Sequence, residues 1–144
     1  GISWLESEVE DFDRLETDPV TWQQVRVNID GREQAHAPDY QFNLGASWQI
    51  TDKLALNSSV TGKGAYYYSF SHDQRSDAVT LLNASLTYQG DFIDLTLWAR
   101  NLTDETYGVR GFHFGNDPRD GYNPKTYEQF GEPRVFGLRL DYIF

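Results

Sequence analysis

Pro133 to Phe144 reads PRVFGLRLDYIF. Every second residue from the end is apolar: Phe144, Tyr142, Leu140, Leu138 and Phe136. The alternate set is Ile143, Asp141, Arg139, Gly137 and Val135, which carries a charge pair and a glycine. A period of two predicts a strand with one dry face and one mixed face. An aromatic residue closes the chain inside that strand. This is the pattern of a strand that closes a sheet and meets lipid, as in an outer-membrane β-barrel.

The same alternation recurs upstream. Tyr40, Phe42, Leu44, Ala46, Trp48 and Ile50 share a face over 40–50. A second strand is expected from Leu54 towards Phe70, with Leu54, Leu56, Val60, Tyr66, Tyr68 and Phe70 together. A third runs from about Ala78 to Tyr88. A fourth sets Ile93, Leu95, Leu97 and Ala99 against Asp94, Thr96, Trp98 and Arg100. Gly1 to Phe12 reads as part of another strand, leading into an acidic stretch from Glu6 to Asp18. Val25, Val27 and Ile29 alternate before Asp30-Gly31, a hairpin signal, so a small hairpin is expected there.

The connections alternate in length. Thr51–Lys53 and Gln89–Asp91 are tight. Those at about Phe12–Asp39, Ser71–Asp77 and Asn101–Glu132 are long, two of them far beyond the usual range. Transmembrane barrels join strands by short periplasmic turns and long extracellular loops. The fold class expected is therefore all-β, an antiparallel transmembrane β-barrel segment of about six strands. Trp48, Tyr88, Tyr142 and Phe144 would ring one interface. Tyr40, Phe42, Tyr66, Tyr68, Phe70 and Phe136 would ring the other.

Composition agrees. The 144 residues suffice for one domain, aromatics make up 15 %, and cysteine is absent. No disulfide framework or thiolate metal site is available. A formal net charge of -10 argues against a nucleic-acid partner. No apolar run is long enough for a transmembrane helix, but a strand needs only about 9–11 residues to span. Six strands leave two unpaired edges, which hydrocarbon does not tolerate. The chain, beginning GISWLESEVE as if within a strand, is therefore expected to be a piece of a larger barrel.

No catalytic constellation or cofactor motif stands out, so an enzyme is not expected. His36, His72 and His113 lie in loops without paired spacing and are read as solvated. Asn116–Gly121 hints at a calcium loop, but Pro118 occupies a ligand position, and a turn is expected. Two groups are candidate sites. Arg110, His113, Arg119 and Tyr122 lie in the large loop, where rings and cations suit an anionic or aromatic ligand, or a loop folded over its own rings. Asp94, Trp98, Arg100, Arg139 and Asp141 are lumen-facing, with the charged four able to pair across the wall.

Three motifs carry a resemblance. Asn101–Tyr107 reads NLTDETY, Gly131–Arg134 reads GEPR before the aromatic-ended strand, and Ala37–Gly45 reads APDYQFNLG. In this order they resemble the C-terminal barrel strands of TonB-dependent outer-membrane receptors, over about Ile29 to Phe144. The resemblance implies a 22-stranded barrel with an N-terminal plug, in the outer membrane of a Gram-negative bacterium. It implies import of a scarce nutrient, such as a ferric chelate, cobalamin or saccharide. The implied partners are lipid, the rest of the barrel and its plug, TonB through an N-terminal part not present here, and the barrel-assembly machinery. For that machinery, Phe136, Leu138, Leu140, Tyr142 and Phe144 would be the signal. A small non-transport barrel and a soluble ligand-binding β-domain are the rival readings.

Overall fold

A computed structural model describes residues 1–18 and 20–142. It contains ten strands: β1 (Ile2–Trp4), β2 (Asp13–Thr17), β3 (Gln24–Asn28), β4 (Tyr40–Thr51), β5 (Leu54–Lys63), β6 (Val79–Gln89), β7 (Ile93–Arg100), β8 (Gly108–Phe114), β9 (Lys125–Phe130) and β10 (Val135–Tyr142). Six form one antiparallel sheet in the order β1-β4-β5-β6-β7-β10. The sheet is open, with β1 and β10 at its edges. Two-stranded ribbons, β2-β3 and β8-β9, stand apart from it.

The register sorts side chains as the alternation requires. One row across five strands reads Trp48, Leu56, Leu86, Leu97 and Leu138. The row beside it, on the opposite face, reads Ser47, Asn57, Ser85, Trp98 and Gly137. The two faces thus differ in chemistry along the whole sheet. Nothing described covers the apolar one. Phe136 and Leu138 are each 61 % exposed, and Leu140 and Tyr142 each 64 %. Among the described residues the buried apolar side chains are Val9, Ile29, Tyr66, Tyr68 and Ala99, of which only Ala99 lies in the sheet.

All three long connections leave the same end of the sheet, and the tight turns lie at the other. Lys53 and Asp91 join those two turns by an ion pair of 2.7 Å. Lys53 O also accepts from Gln89 N–H at 2.7 Å.

Four expectations are corrected. The strand after Leu54 ends at Lys63, not near Phe70. Tyr66 and Tyr68 turn inward among the loops instead of forming an interfacial ring, and each is only 4 % exposed. The hairpin near Val25 runs backwards, with β3 pairing β2 across 18–23. Asp30-Gly31 is a separate turn: Gly31, at φ 76°, donates to Val9 O, and Asp30 Oδ1 accepts from Phe12 N–H at 2.9 Å. The long loop after Asn101 is itself a ribbon, β8-β9, whose strands sequence periodicity did not reveal. Ile143 and Phe144, the end of the aromatic face, lie outside the described residues.

Candidate functional site

The connection 64–78 is the hub of the loop end. On one side it holds the 5–39 segment. Asp73 accepts from Arg14 at 2.6 and 2.8 Å and from Arg32 at 2.8 Å. Arg32 also donates to Ser69 O and His72 O. The Arg14 guanidinium, hydrogen-bonded to Asp73, holds that carboxyl below its usual range. Tyr67 is flanked by Arg32 and Arg75, each 4.5 Å from the ring centroid.

On its other side the hub carries β8-β9. Tyr66 Oη donates to Val109 O at 3.0 Å, and Tyr68 Oη to Glu128 at 3.0 Å. Burial, then the Glu128 carboxylate, pushes the Tyr68 phenol well above its usual range. The ribbon comes this close because Gly108 and Gly111 present bare backbone to Tyr68. A Cβ at Gly111 would stand inside contact distance of that buried ring. Gly111→Ala is expected to lift the ribbon at a cost of about 1–3 kcal/mol. Faster limited proteolysis of the native protein within 108–130 would show it; an unchanged pattern would mean the ring yields.

Between hub and ribbon lies a cavity of about 230 Å³. Its walls include Tyr68, Phe112 and Phe114, with His36, His72, His113 and Arg110 among them. The three histidines thus meet at one cavity from three connections; His36 is solvent-exposed, as expected, whereas His72 is buried, contrary to the expectation of a solvated side chain. His72 is 8 % exposed, and its ring centroid lies 5.9 Å from that of His113. Burial lowers its basicity, assisted by His113, Arg14 and Arg32, so His72 is neutral at pH 7. Its Nδ1 accepts from Gln74 N–H at 3.3 Å. Among the described residues no group of three or more potential ligands has metal-site geometry.

Of the four loop residues expected to contact ligand, Arg110 and His113 line this cavity. Arg119 and Tyr122 do not: they sit at the ribbon tip. There Asp117 caps a 3-10 turn, Pro118–Asp120, and binds the Arg119 guanidinium at 3.0 Å. The calcium-like stretch is therefore a turn whose first carboxylate is already engaged. His72, His36 and Tyr68 were missed as site residues because only tertiary packing brings 64–78 beneath the ribbon.

The second predicted group shares the polar face. Trp98 lies against Gly137, where a side chain would collide with its ring. Arg100 stands 5.1 Å from the Trp98 centroid. With Asn57, Ser59, Asn83 and Ser85 they line a shallow hollow of about 440 Å³. The expected pairing of charges across strands is not what forms. Arg139 bonds Asp141 two residues along its own strand at 2.8 Å, and Arg100 reaches Glu132 at 3.0 Å. Asp94 stands opposite Asp141, with its Oδ1 buried and unpartnered. Residues two apart on a strand share a face, so the nearer partner prevails.

The NLTDETY and GEPR segments prove to be two halves of one clamp. Asn101, 3 % exposed, donates through Nδ2 to Glu105 O at 2.8 Å and Glu132 O at 3.0 Å. Its Oδ1 accepts from Glu105 N–H at 2.9 Å. Asp104 accepts from Arg134 N–H at 3.1 Å and pairs with its guanidinium at 3.3 Å. Gly131 donates to Tyr107 O and lies under the Tyr107 ring.

No protein-family model matches the chain. Among solved structures, it is similar to the closed form of the ferric-catecholate import receptor Fiu from E. coli K12. The identity is 23 % and the TM-score 0.53, over 82 % of this chain and 17 % of that one. That likeness concerns the fold. The chain spans about a sixth of the length of the receptor it resembles.

Proposed function

We propose that this chain is the C-terminal part of the β-barrel of a TonB-dependent outer-membrane transporter that imports a scarce nutrient. The observation that carries the reading is the open six-stranded sheet whose apolar face is exposed from Trp48 to Leu138. A large uncovered apolar surface needs a partner, and two free edges need further strands. Lipid supplies the first and the remaining barrel strands the second. The long connections then point outward and the Lys53–Asp91 turns lie in the periplasm. The polar face becomes the lumen wall, where Asp94, Trp98, Arg100, Arg139 and Asp141 would meet a plug or the permeating nutrient. TonB would act through the plug-bearing part of the protein. Phe136, Leu138, Leu140, Tyr142 and Phe144 would be read by the barrel-assembly machinery. The fold likeness to a ferric-catecholate receptor supports a ferric chelate ahead of cobalamin or a saccharide as the cargo.

Fractionation of cells expressing the full-length protein tests this. The expected result is recovery in the outer-membrane fraction, extraction only by detergent, and faster gel migration before heating than after. Recovery in the aqueous fraction as a folded monomer would overturn the membrane reading. Outer-membrane recovery without energy-dependent uptake of any iron chelate, cobalamin or saccharide would leave a barrel that does not transport.

A further inference from the structure

We propose that His72 is an acid-released latch for the β8-β9 ribbon: the ribbon stays docked on the 64–78 connection while the ring is neutral, and lifts on its clamp when the ring takes a proton. Every group involved lies in this chain, so the latch does not depend on the transporter reading.

Position comes first. β8 and β9 pair with each other and with no strand of the six-stranded sheet, so the ribbon can lift without breaking a sheet ladder. What docks it is a short set of contacts with 64–78. Tyr66 Oη and Tyr68 Oη bond Val109 O and Glu128, and the buried His72 ring meets that of His113 at 5.9 Å between centroids. On the other side of the connection, Arg32 donates to His72 O at 3.2 Å, and Arg14 and Arg32 both reach the next residue, Asp73.

Proton placement comes second. His72 Nδ1 accepts from the Gln74 N–H at 3.3 Å, so the neutral ring carries its proton on Nε2. A second proton has only Nδ1 to occupy, and there it meets the Gln74 N–H head on. The imidazolium form therefore breaks that bond and drives the ring from its place. Gln74 O also accepts from the Tyr68 N–H at 3.1 Å. The disturbance thus reaches the tyrosine that packs under Gly111 and holds Glu128.

Charge comes third. From the ribbon, His113, Arg110 and Glu128 face this region. From the 5–39 segment come Arg14, Arg32, Glu16 and His36. The connection itself adds Asp73 and Tyr68. Each of the three carboxylates is already engaged: Glu128 by Tyr68, Glu16 by Arg14, and Asp73 by Arg14 and Arg32. A new cation on His72 would join two arginines with no uncommitted carboxylate among these groups. Burial first, then His113, Arg14 and Arg32, lower the basicity of the ring, with Asp73 opposing. Lifting the ribbon returns the ring to water and to the ordinary value of about 6.5. Docking is therefore complete above that value and weakens as pH falls below it.

Hydrogen exchange of the full-length protein, with exchange times scaled to the intrinsic amide rate at each pH, tests this. Protection in 108–130 is expected to be about tenfold lower at about pH 5 than at about pH 7, within the limit of tenfold per pH unit for one proton. Protection in 5–39 should hold, because the Arg14 hydrogen bond keeps Asp73 ionised well below that range. His72→Asn retains an acceptor near the Nδ1 position and takes no proton, so its ribbon should be equally protected at both pH values. His36→Gln, at an exposed ring, should keep the response of the parent. An unchanged ribbon in the parent overturns the latch, as do equal losses in 5–39 or a response that survives His72→Asn. If His72→Asn docks loosely at every pH, the midpoint of the parent decides. A midpoint between about 5 and 6.5 supports His72, and one near 4, in the ordinary carboxylate range, assigns the release to Glu128 and overturns the latch.

Discussion

Asn101→Ala is expected to lower the stability of the loop end by about 4 kcal/mol. Three hydrogen bonds go with the side-chain amide: two to carbonyls of Glu105 and Glu132 and one from the Glu105 N–H. The site is buried, so the abandoned backbone groups remain shielded from water, at about 1–3 kcal/mol for each group left unpaired. The backbone adds to this. Asn101 sits at φ 48° and Asp104 at φ 63°, left-handed positions that cost alanine roughly 1–2 kcal/mol and asparagine less. Asn101→Gly should therefore be milder than alanine, because it relieves the backbone while losing the same bonds. Asn101→Asp should be severe, since a carboxylate would face two carbonyl oxygens. Thermal unfolding of the full-length protein in detergent, followed by protease nicking within 105–131, gives the ranking. Equal melting of the alanine variant and the parent would show that the clamp contributes little.

Leu138→Arg is expected to cost about 2–4 kcal/mol if the apolar face meets lipid. Leu138 lies midway along β10, opposite Leu97, and is 61 % exposed. Surrounded by water, such a substitution would stay within about 0.5 kcal/mol of neutral. Near the centre of a bilayer an arginine on the outer face of a barrel carries the larger penalty, and the penalty falls towards the interfaces. Phe136→Arg, closer to the loop end of the same strand and equally exposed, should therefore cost less. Urea titration of the protein refolded into lipid vesicles would measure both. A flat response at both positions would mean that this face does not touch hydrocarbon.

The sheet was legible because one face of each strand is apolar and the other is not. Trp48, Leu56, Leu86, Leu97 and Leu138 fall into one row for that reason, and the pairing of strands follows from short turns. The aromatic run at Tyr66 and Tyr68 misled because alternation continued past Gly64 after the sheet had ended. Period alone does not tell a ring facing outward from one packed beneath another loop. The β8-β9 ribbon was hidden by the opposite defect: its glycines at 108 and 111 break the pattern just where close approach to Tyr68 requires bare backbone. The cavity was half legible. Arg110 and His113 belong to the stretch whose rings and cations pointed to a ligand. His72 and His36 arrive from elsewhere, and Arg119 is withdrawn by a neighbour, Asp117, that composition cannot distinguish from a free acid.

The clamp also separates what can vary from what cannot. Asn101, Asp104 and Tyr107 draw residues 131–134 alongside before the ribbon begins, so the ends of the excursion are fastened to each other at the rim of the sheet. Everything from 108 to 130 then behaves as a cassette on a fixed socket. Insertions, deletions or wholesale exchange at the ribbon tip, around Asp117–Gly121, leave the registration of β7 with β10 undisturbed. Such a module can change at its tip while the wall beneath keeps its assembly.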